Sequence, residues 1–331
     1  MLNPKLKLNP KLFNKDVEQQ PIRKGFGIGL LQAGEVNSKV VALCADLTES
    51  TQMHLFKEAF PNRFVEIGVA EQNLVTVASG MAASGKIPFC SSYAMFSPGR
   101  NWEQIRTTIA YNDRKVIIVG SHAGISVGPD GGTHQALEDI ALMRIVPNME
   151  VLSPCDSIQA KKVTFHFLES KKPAYLRLAR EKTPIITTEE TPFEFGKAYT
   201  YWIPDIGFAE VGIIVTGGLT YNALLAAKEL ENEGIKTKVL NVVSIKPIDK
   251  EAIIELAKET KKIVTVEEHQ VAGGLGSAVA EILSENYPVP IEFIGVKDKF
   301  GQSGTPEELI KYYGMDKDSI KKAVKKVKNR K

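Results

Sequence analysis

Runs of β-branched and aromatic residues recur along the chain, each followed by small, helix-forming residues. They read VVALCADL (40–47), FVEIGV (64–69), PFCSSYA (88–94), KVIIVGSHAG (115–124), MEVLSPC (149–155) and PAYLRLA (173–179). This is the pattern of parallel α/β structure. Residues 74–84 and 101–111 are predicted helices, each long enough to make a crossover between parallel strands. From 181 to 196 the sequence EKTPIITTEETPFEFG loses periodicity and gathers prolines and polar residues, as a linker does. A second alternation follows: VGIIVTGG (211–218), TKVLNVVSI (237–245), KIVTVEEH (262–269) and IEFIGV (291–296), with predicted helices at 221–233 and 250–258.

A chain of 331 residues exceeds what one core usually serves, so two domains are expected. The expected division is an N-terminal arm at 1–20, a first doubly wound α/β domain at 21–182, a linker at 183–196 and a smaller α/β domain at 197–331. The arm, MLNPKLKLNPKLFNKD, repeats LNPKL, and its prolines and lysines interrupt any apolar signal core, so it reads as short and extended.

Charge excludes little and recruits little. Forty-two basic against 39 acidic residues leave a net +3, too small a field to call for nucleic acid or a membrane surface. The basic excess is local, in KKAVKKVKNRK at the end, which reads as a solvated helix end. Cys44, Cys90 and Cys155 are odd in number and set in apolar contexts, as buried reduced thiols of a cytoplasmic protein are. No apolar run approaches the roughly 20 residues that span a bilayer.

Two glycine stretches invite a dinucleotide reading. GFGIG (25–29 within GFGIGLL) follows no strand, and AGGLGSA (272–278) lacks the GxGxxG spacing, so the second is read as a turn tightening a strand–helix joint. Chemistry is concentrated elsewhere. Glu71 follows FVEIGV, at the expected carboxyl end of a strand, where ligands of open α/β sheets gather. In apolar company its carboxylate suits proton transfer near neutral pH; the alternative is a first-turn glutamate facing its own helix dipole. Residues 121–135, SHAGISVGPDGGTHQ, place His122 and His134 around a glycine-rich loop with Asp130 in its middle, a set able to handle hydroxyl protons. His54, His166 and His269 read as surface or packing residues. Tyr93 and Phe96 fit core filling or one wall of a flat ring's pocket. Arg23, Arg177 and Arg180 stay ambiguous, although Arg180 follows an apolar strand and is placed to reach a phosphate.

Taken together, GVAEQN, YAMF, GISVGPDGGTHQALEDIALMRIVPNMEVLSPCD and YLRLAR resemble, in this order, the pyrimidine-binding domain of transketolases. Residues from about 196 onward resemble the transketolase C-terminal domain. The resemblance implies thiamine diphosphate as cofactor and transfer of a two-carbon ketol unit from a ketose phosphate to an aldose phosphate. Glu71 then matches the glutamate that hydrogen-bonds N1′ of the aminopyrimidine and favours its imino tautomer. Phe96 and Tyr93 match the aromatics packed against that ring, and Asp46 an aspartate near the cofactor. Asp130 and His134 match residues that bind donor-sugar hydroxyls, His134 being also a proton relay. His122, Arg180, Arg23 and Ser50 match positions holding a sugar phosphate.

The sequence departs from the family where a full-length transketolase carries a domain with a Gly-Asp-Gly…Asn motif for the diphosphate and its divalent metal. That implies a split enzyme, whose partner subunit brings the magnesium site, in an assembly of two copies of each chain. Pro129 and Gly132 replace the family's usual glutamate and proline in the loop. Rival readings are a 2-oxo-acid dehydrogenase beta subunit, which lacks the DGGTHQ stretch, and a 1-deoxyxylulose 5-phosphate synthase, which shares its DG-x-THQ pattern. A non-catalytic binding subunit is the rival of another class.

Overall fold

The computed structural model describes residues 1–330. The first alternation forms a seven-stranded sheet in the order Ser244–Lys246, Glu150–Leu152, Ala174–Arg177, Ile117–Ser121, Ile87–Tyr93, Val40–Cys44, Phe64–Glu66. Pairing is parallel throughout except at Ser244–Lys246, an antiparallel edge strand lent by the second half of the chain. Side chains of Val40–Cys44 alternate between two cores. Val40, Ala42 and Cys44 face helices Ile22–Val36 and Ser157–Glu169, whereas Val41 and Leu43 face helix Glu71–Ala83 and its neighbours. Burial on both faces explains why the run has no polar alternation.

The second sheet runs Ile291–Val296, Ile263–Gln270, Val211–Val215, Thr237–Asn241, Tyr199–Trp202, with only the last strand antiparallel. It too has helices on both faces. Ile213 and Val215 pack toward Ala223, Leu224 and Val324, and Ile214 packs toward Ile253 and Val279. The architecture is thus two doubly wound α/β units, as the alternation predicts.

Two local expectations are corrected, and one stretch left without an assignment finds its place. The N-terminal arm is not extended: it makes a 3-10 turn at Pro4–Leu6, and Leu6, Leu8 and Leu12 are buried in the core of the second unit. Its leucines, not its prolines, decide the outcome, because burial of an apolar side chain contributes about 1.5–3 kcal/mol. GFGIG lies inside helix Ile22–Val36, which the low helix propensity of glycine conceals. A Cβ on Gly25 would stand 1.8 Å from the Ser157 carbonyl oxygen, so glycine is what lets this helix touch Ser157–Glu169. The expected helix at 101–111 is a single α-turn, Trp102–Gln104, continued by a π-helical segment, Ile105–Ala110.

The basic tail forms helix Lys317–Lys328, and its cations are largely matched. Lys321 bridges Glu229 and Glu233, Lys325 reaches Glu233, Lys326 reaches Glu292 and Lys328 reaches Glu210, all within 2.8 Å. The end is paired rather than merely solvated; Lys331 lies outside the described residues. All three cysteines are buried and free. Among the described residues no helix is long and apolar enough to cross a membrane.

Candidate active site

The parallel strands of the first sheet end along one edge, and the turns that leave them carry most of the candidate residues. Phe64–Glu66 is followed by Gly68 at φ +76° and then by helix Glu71–Ala83, of which Glu71 is the first residue. Both sequence readings of Glu71 therefore hold in geometry: it is a first-turn glutamate, and its side chain is only 4% exposed at the sheet's ligand edge. Its expected apolar company is corrected. Arg100 Nη1 lies 3.1 and 3.3 Å from the two carboxylate oxygens, since a carboxylate so withdrawn from water needs a compensating donor. Asn101 Nδ2 donates to the Glu71 carbonyl and to Ser97 Oγ, wrapping the turn after Ile87–Tyr93 around the head of the helix.

Tyr93 and Phe96, on that turn, are not core filling. Their rings stack at 6.2 Å and 16°, and Tyr93 lies on the His122 imidazole at 3.9 Å. His134 meets Phe96 edge-on at 5.4 Å, while the Arg100 guanidinium covers Phe96 at 4.6 Å. One row of rings thus joins the carboxylate turn to the histidine loop.

That loop is built on unusual backbone. His122 has φ +56°, and Gly124, Gly128 and Gly131 have φ +91°, +79° and +75°. For a histidine the left-handed region costs about 1–2 kcal/mol, which a surrounding structure must over-determine. Ser121 Oγ lies 2.9 Å from His122 Nδ1, and Thr133 Oγ1 lies 3.0 Å from His134 Nδ1. Asp130 is exposed on the outer part of the loop.

Arg23, in the first turn of helix Ile22–Val36, and Arg180, beyond strand Ala174–Arg177, meet beside His122. Arg23 Nη1 donates to the Arg180 carbonyl, and Arg180 Nη1 donates to the Val127 carbonyl at 2.7 Å. Burial, then the charges of Arg23, Arg180 and His134, pushes the His122 pKa down to about 3. Burial and Arg180 likewise lower that of Arg23, whose buried Nε has no hydrogen-bond partner. The opposing acid is Glu181, 3.4 Å from Arg180. Clustered cations with an unsatisfied buried donor make a receptor for an anion.

Asp46, at φ +57° and exposed, and the half-buried Ser50 lie on the loop after Val40–Cys44. Sequence reasoning missed what holds this loop. Glu66 accepts from the N–H groups of Asp46 and Gly68 at 2.8 and 2.9 Å and from Thr48 Oγ1 at 3.0 Å. The available signal was an acid alone between Val65 and Ile67 in a strand run. Arg177 is not a surface residue: 5% exposed, it pairs with Asp139 at 2.8 Å, which also accepts from Tyr175 at 2.7 Å. His54 and His166 are partly buried, but His269 is fully buried between the two units, its Nδ1 2.6 Å from the Gln270 carbonyl oxygen. AGGLGSA is a turn into helix Leu275–Asn286, whose first N–H groups cradle the buried Glu267 carboxylate at 2.7 and 2.8 Å.

A withdrawn carboxylate beside two parallel aromatic rings can seat a flat heteroaromatic ring, and the adjoining cations can hold an anionic group. Among the described residues no group of three or more His, Cys, Asp or Glu side chains is arranged to hold a metal ion.

The transketolase pyrimidine-binding domain family matches residues 18–185 and the transketolase C-terminal domain family matches residues 208–320. A Methanocaldococcus jannaschii protein named for the transketolase C-terminal section is 44% identical over 92% of this chain and 95% of its own length. A 6-deoxy-6-sulfo-D-fructose transketolase subunit of Clostridium sp. (strain MSTE9) is 39% identical over 96% of this chain and 98% of its own. Rat transketolase is 36% identical over 92% of the chain, which spans 48% of that longer protein. A solved split-gene transketolase, described as an inactive beta4 tetramer, superposes with a TM-score of 0.86 at 44% identity, covering 93% of this chain and 98% of its own. The Campylobacter jejuni transketolase shares the fold at a TM-score of 0.80 and 19% identity, over 96% of this chain and 50% of its own. The chain belongs to the transketolase family, as a C-terminal section that joins a pyrimidine-binding domain to a transketolase C-terminal domain.

Proposed function

We propose that this chain forms one side of a thiamine diphosphate site and, with a partner subunit, transfers a two-carbon ketol unit between a ketose phosphate and an aldose phosphate. The observation that carries the reading is the row Glu71, Phe96, Tyr93, His122, which links a withdrawn carboxylate to a cluster of cations. When bound, the cofactor supplies the carbon nucleophile that carries the two-carbon unit. Glu71 would hold the aminopyrimidine through its N1′ and favour the imino tautomer, Phe96 and Tyr93 would pack against the ring, and Asp46 would lie near it. Asp130 and His134 take the donor hydroxyls, and His134 moves a hydroxyl proton. Arg23, Arg180, His122 and Ser50 hold the anionic end of the sugar.

Charge at that end is supported by the relatives. Their names specify a sulfo sugar in one case and apulose 4-phosphate in another, and sulfonate and phosphate present similar oxygens to arginine. A relative that is itself a C-terminal section supports an N-terminal partner; a diphosphate and magnesium site on that partner, two copies of each chain in the assembly and action in the cytoplasm belong to the same reading. The division into arm (1–20), pyrimidine-binding domain (21–182), linker (183–196) and C-terminal domain (197–331) belongs to the same proposal, and the family matches at 18–185 and 208–320 support it. The synthase, dehydrogenase and binding-subunit readings are not favoured, because the relatives named above are transketolases.

The test combines the chain with its partner, thiamine diphosphate and magnesium, and compares ketol transfer from fructose 6-phosphate with condensation of pyruvate and a triose phosphate. Ketol transfer alone is expected; pyruvate condensation alone would overturn the reading.

A further inference from the structure

The C-terminal domain touches the histidine loop from behind, and one of its side chains is devoted to that contact. Glu268, near the end of strand Ile263–Gln270, is 6% exposed and places Oε1 2.5 Å from the Ser126 N–H. A Cβ on Gly124 would stand 2.4 Å from the same oxygen, so the carboxylate lies directly against the loop at a glycine with φ +91°. Its main chain is anchored in the other direction: the Glu268 carbonyl accepts from Arg177 Nη2 at 2.8 Å, and Arg177 is held by Asp139. Glu268 is therefore fixed to the strand before Arg180 and aimed at the loop that follows His122. A second tie runs from Gln135 Nε2 to the Gln302 carbonyl at 3.0 Å, closing the other end of the loop on the same domain.

Burying a carboxylate is costly without compensation. Burial raises the Glu268 pKa, while Arg177 and the Ser126 N–H act to lower it. Ser126 lies four residues after His122 and eight before His134, on the short 3-10 segment Ile125–Asp130, which Gly128 at φ +79° interrupts and which Gln135 Nε2 and Arg180 Nη1 also hold through the Ile125 and Val127 carbonyls at 3.1 and 2.7 Å. Removing the Glu268 acceptor leaves the buried Ser126 N–H unpaired and loosens that segment without touching Glu71, Tyr93 or Phe96.

We propose that Glu268 is a positioning residue of the sugar phosphate site, through which the C-terminal domain holds residues 124–128 so that His122 and His134 stand correctly on either side of the substrate. This rests on the ketol-transfer reading for its catalytic consequence, though not for its structural one. The structural arm is hydrogen exchange on the full chain. Glu268→Ala should speed exchange across residues 124–130 about tenfold and leave helix Glu71–Ala83 unchanged, and Glu268→Gln, which keeps an acceptor oxygen, should restore protection. Glu268→Asp, which draws the oxygen back, serves if the alanine variant does not fold. The catalytic arm uses the assembled enzyme with fructose 6-phosphate: KM should rise about tenfold, with the concentration of thiamine diphosphate for half-activation unchanged. Unaltered loop exchange, or acceleration spread evenly over the molecule, would overturn the proposal. So would a loss confined to kcat that Glu268→Gln does not rescue. Absence of ketol transfer in the wild-type assembly would overturn the functional reading while the exchange result still decided the positioning role.

Discussion

Arg100 places its guanidinium 3.1 Å from the Glu71 carboxylate and over the face of Phe96. Both are surfaces that an aminopyrimidine would use, so Arg100 must give up at least one of them when such a ring enters. The Glu71 carboxylate is 4% exposed but the Arg100 side chain is 54% exposed, and with one partner in solvent the attraction is screened to about 1 kcal/mol. Arg100→Ala should therefore tighten thiamine diphosphate binding in the assembled enzyme by no more than about fivefold. Calorimetric titration checks this, and weaker binding would show that Arg100 supports the cofactor rather than competing with it.

His122 should stay neutral far into acid. Its folded pKa of about 3 lies below the unfolded value near 6.5, so between those limits the unfolded chain binds a proton that the folded chain does not. The contribution of this ring is thus fully present above pH 6.5 and is lost as pH falls toward 3, at up to about 1.4 kcal/mol per pH unit. Urea unfolding at pH 7, 5 and 4 should show a decline that His122→Asn reduces. An identical decline in the variant would refute the assignment.

The contact between helices Ile22–Val36 and Ser157–Glu169 makes a paired prediction. Gly25→Ala drives a methyl into the Ser157 carbonyl and should destabilise the chain by about 2–3 kcal/mol. Gly80→Ala, at an exposed position of helix Glu71–Ala83 with no heavy atom within 4 Å of the added Cβ, should stabilise it by roughly 0.5–1 kcal/mol. Denaturant midpoints of the two variants should move in opposite directions.

What could be read from the sequence follows from range. The strand runs were legible because burial on both sheet faces leaves a continuous apolar signature, as in Val40–Cys44 and Val211–Val215. The helix holding GFGIG was not, because Gly25 and Gly29 answer to Ser157 and Thr164, more than a hundred residues away. Tyr93, His122, Arg23 and Arg180 could be singled out by type, and the structure brings them together. Arg100, Glu66 and Glu268 escaped notice because each acts through a tertiary partner that no local spacing reveals. Ser126 and Glu268 are 142 residues apart in sequence and 2.5 Å apart in space.

The most direct measurement of the central claim is the rate of ketol transfer by Glu71→Ala, assembled with the partner subunit, thiamine diphosphate and magnesium, and compared with wild type at saturating sugar phosphate. If the Glu71 carboxylate governs the aminopyrimidine tautomer, the rate should fall by about 10²–10⁴-fold while the assembly stays intact. Turnover equal to that of wild type would contradict the account.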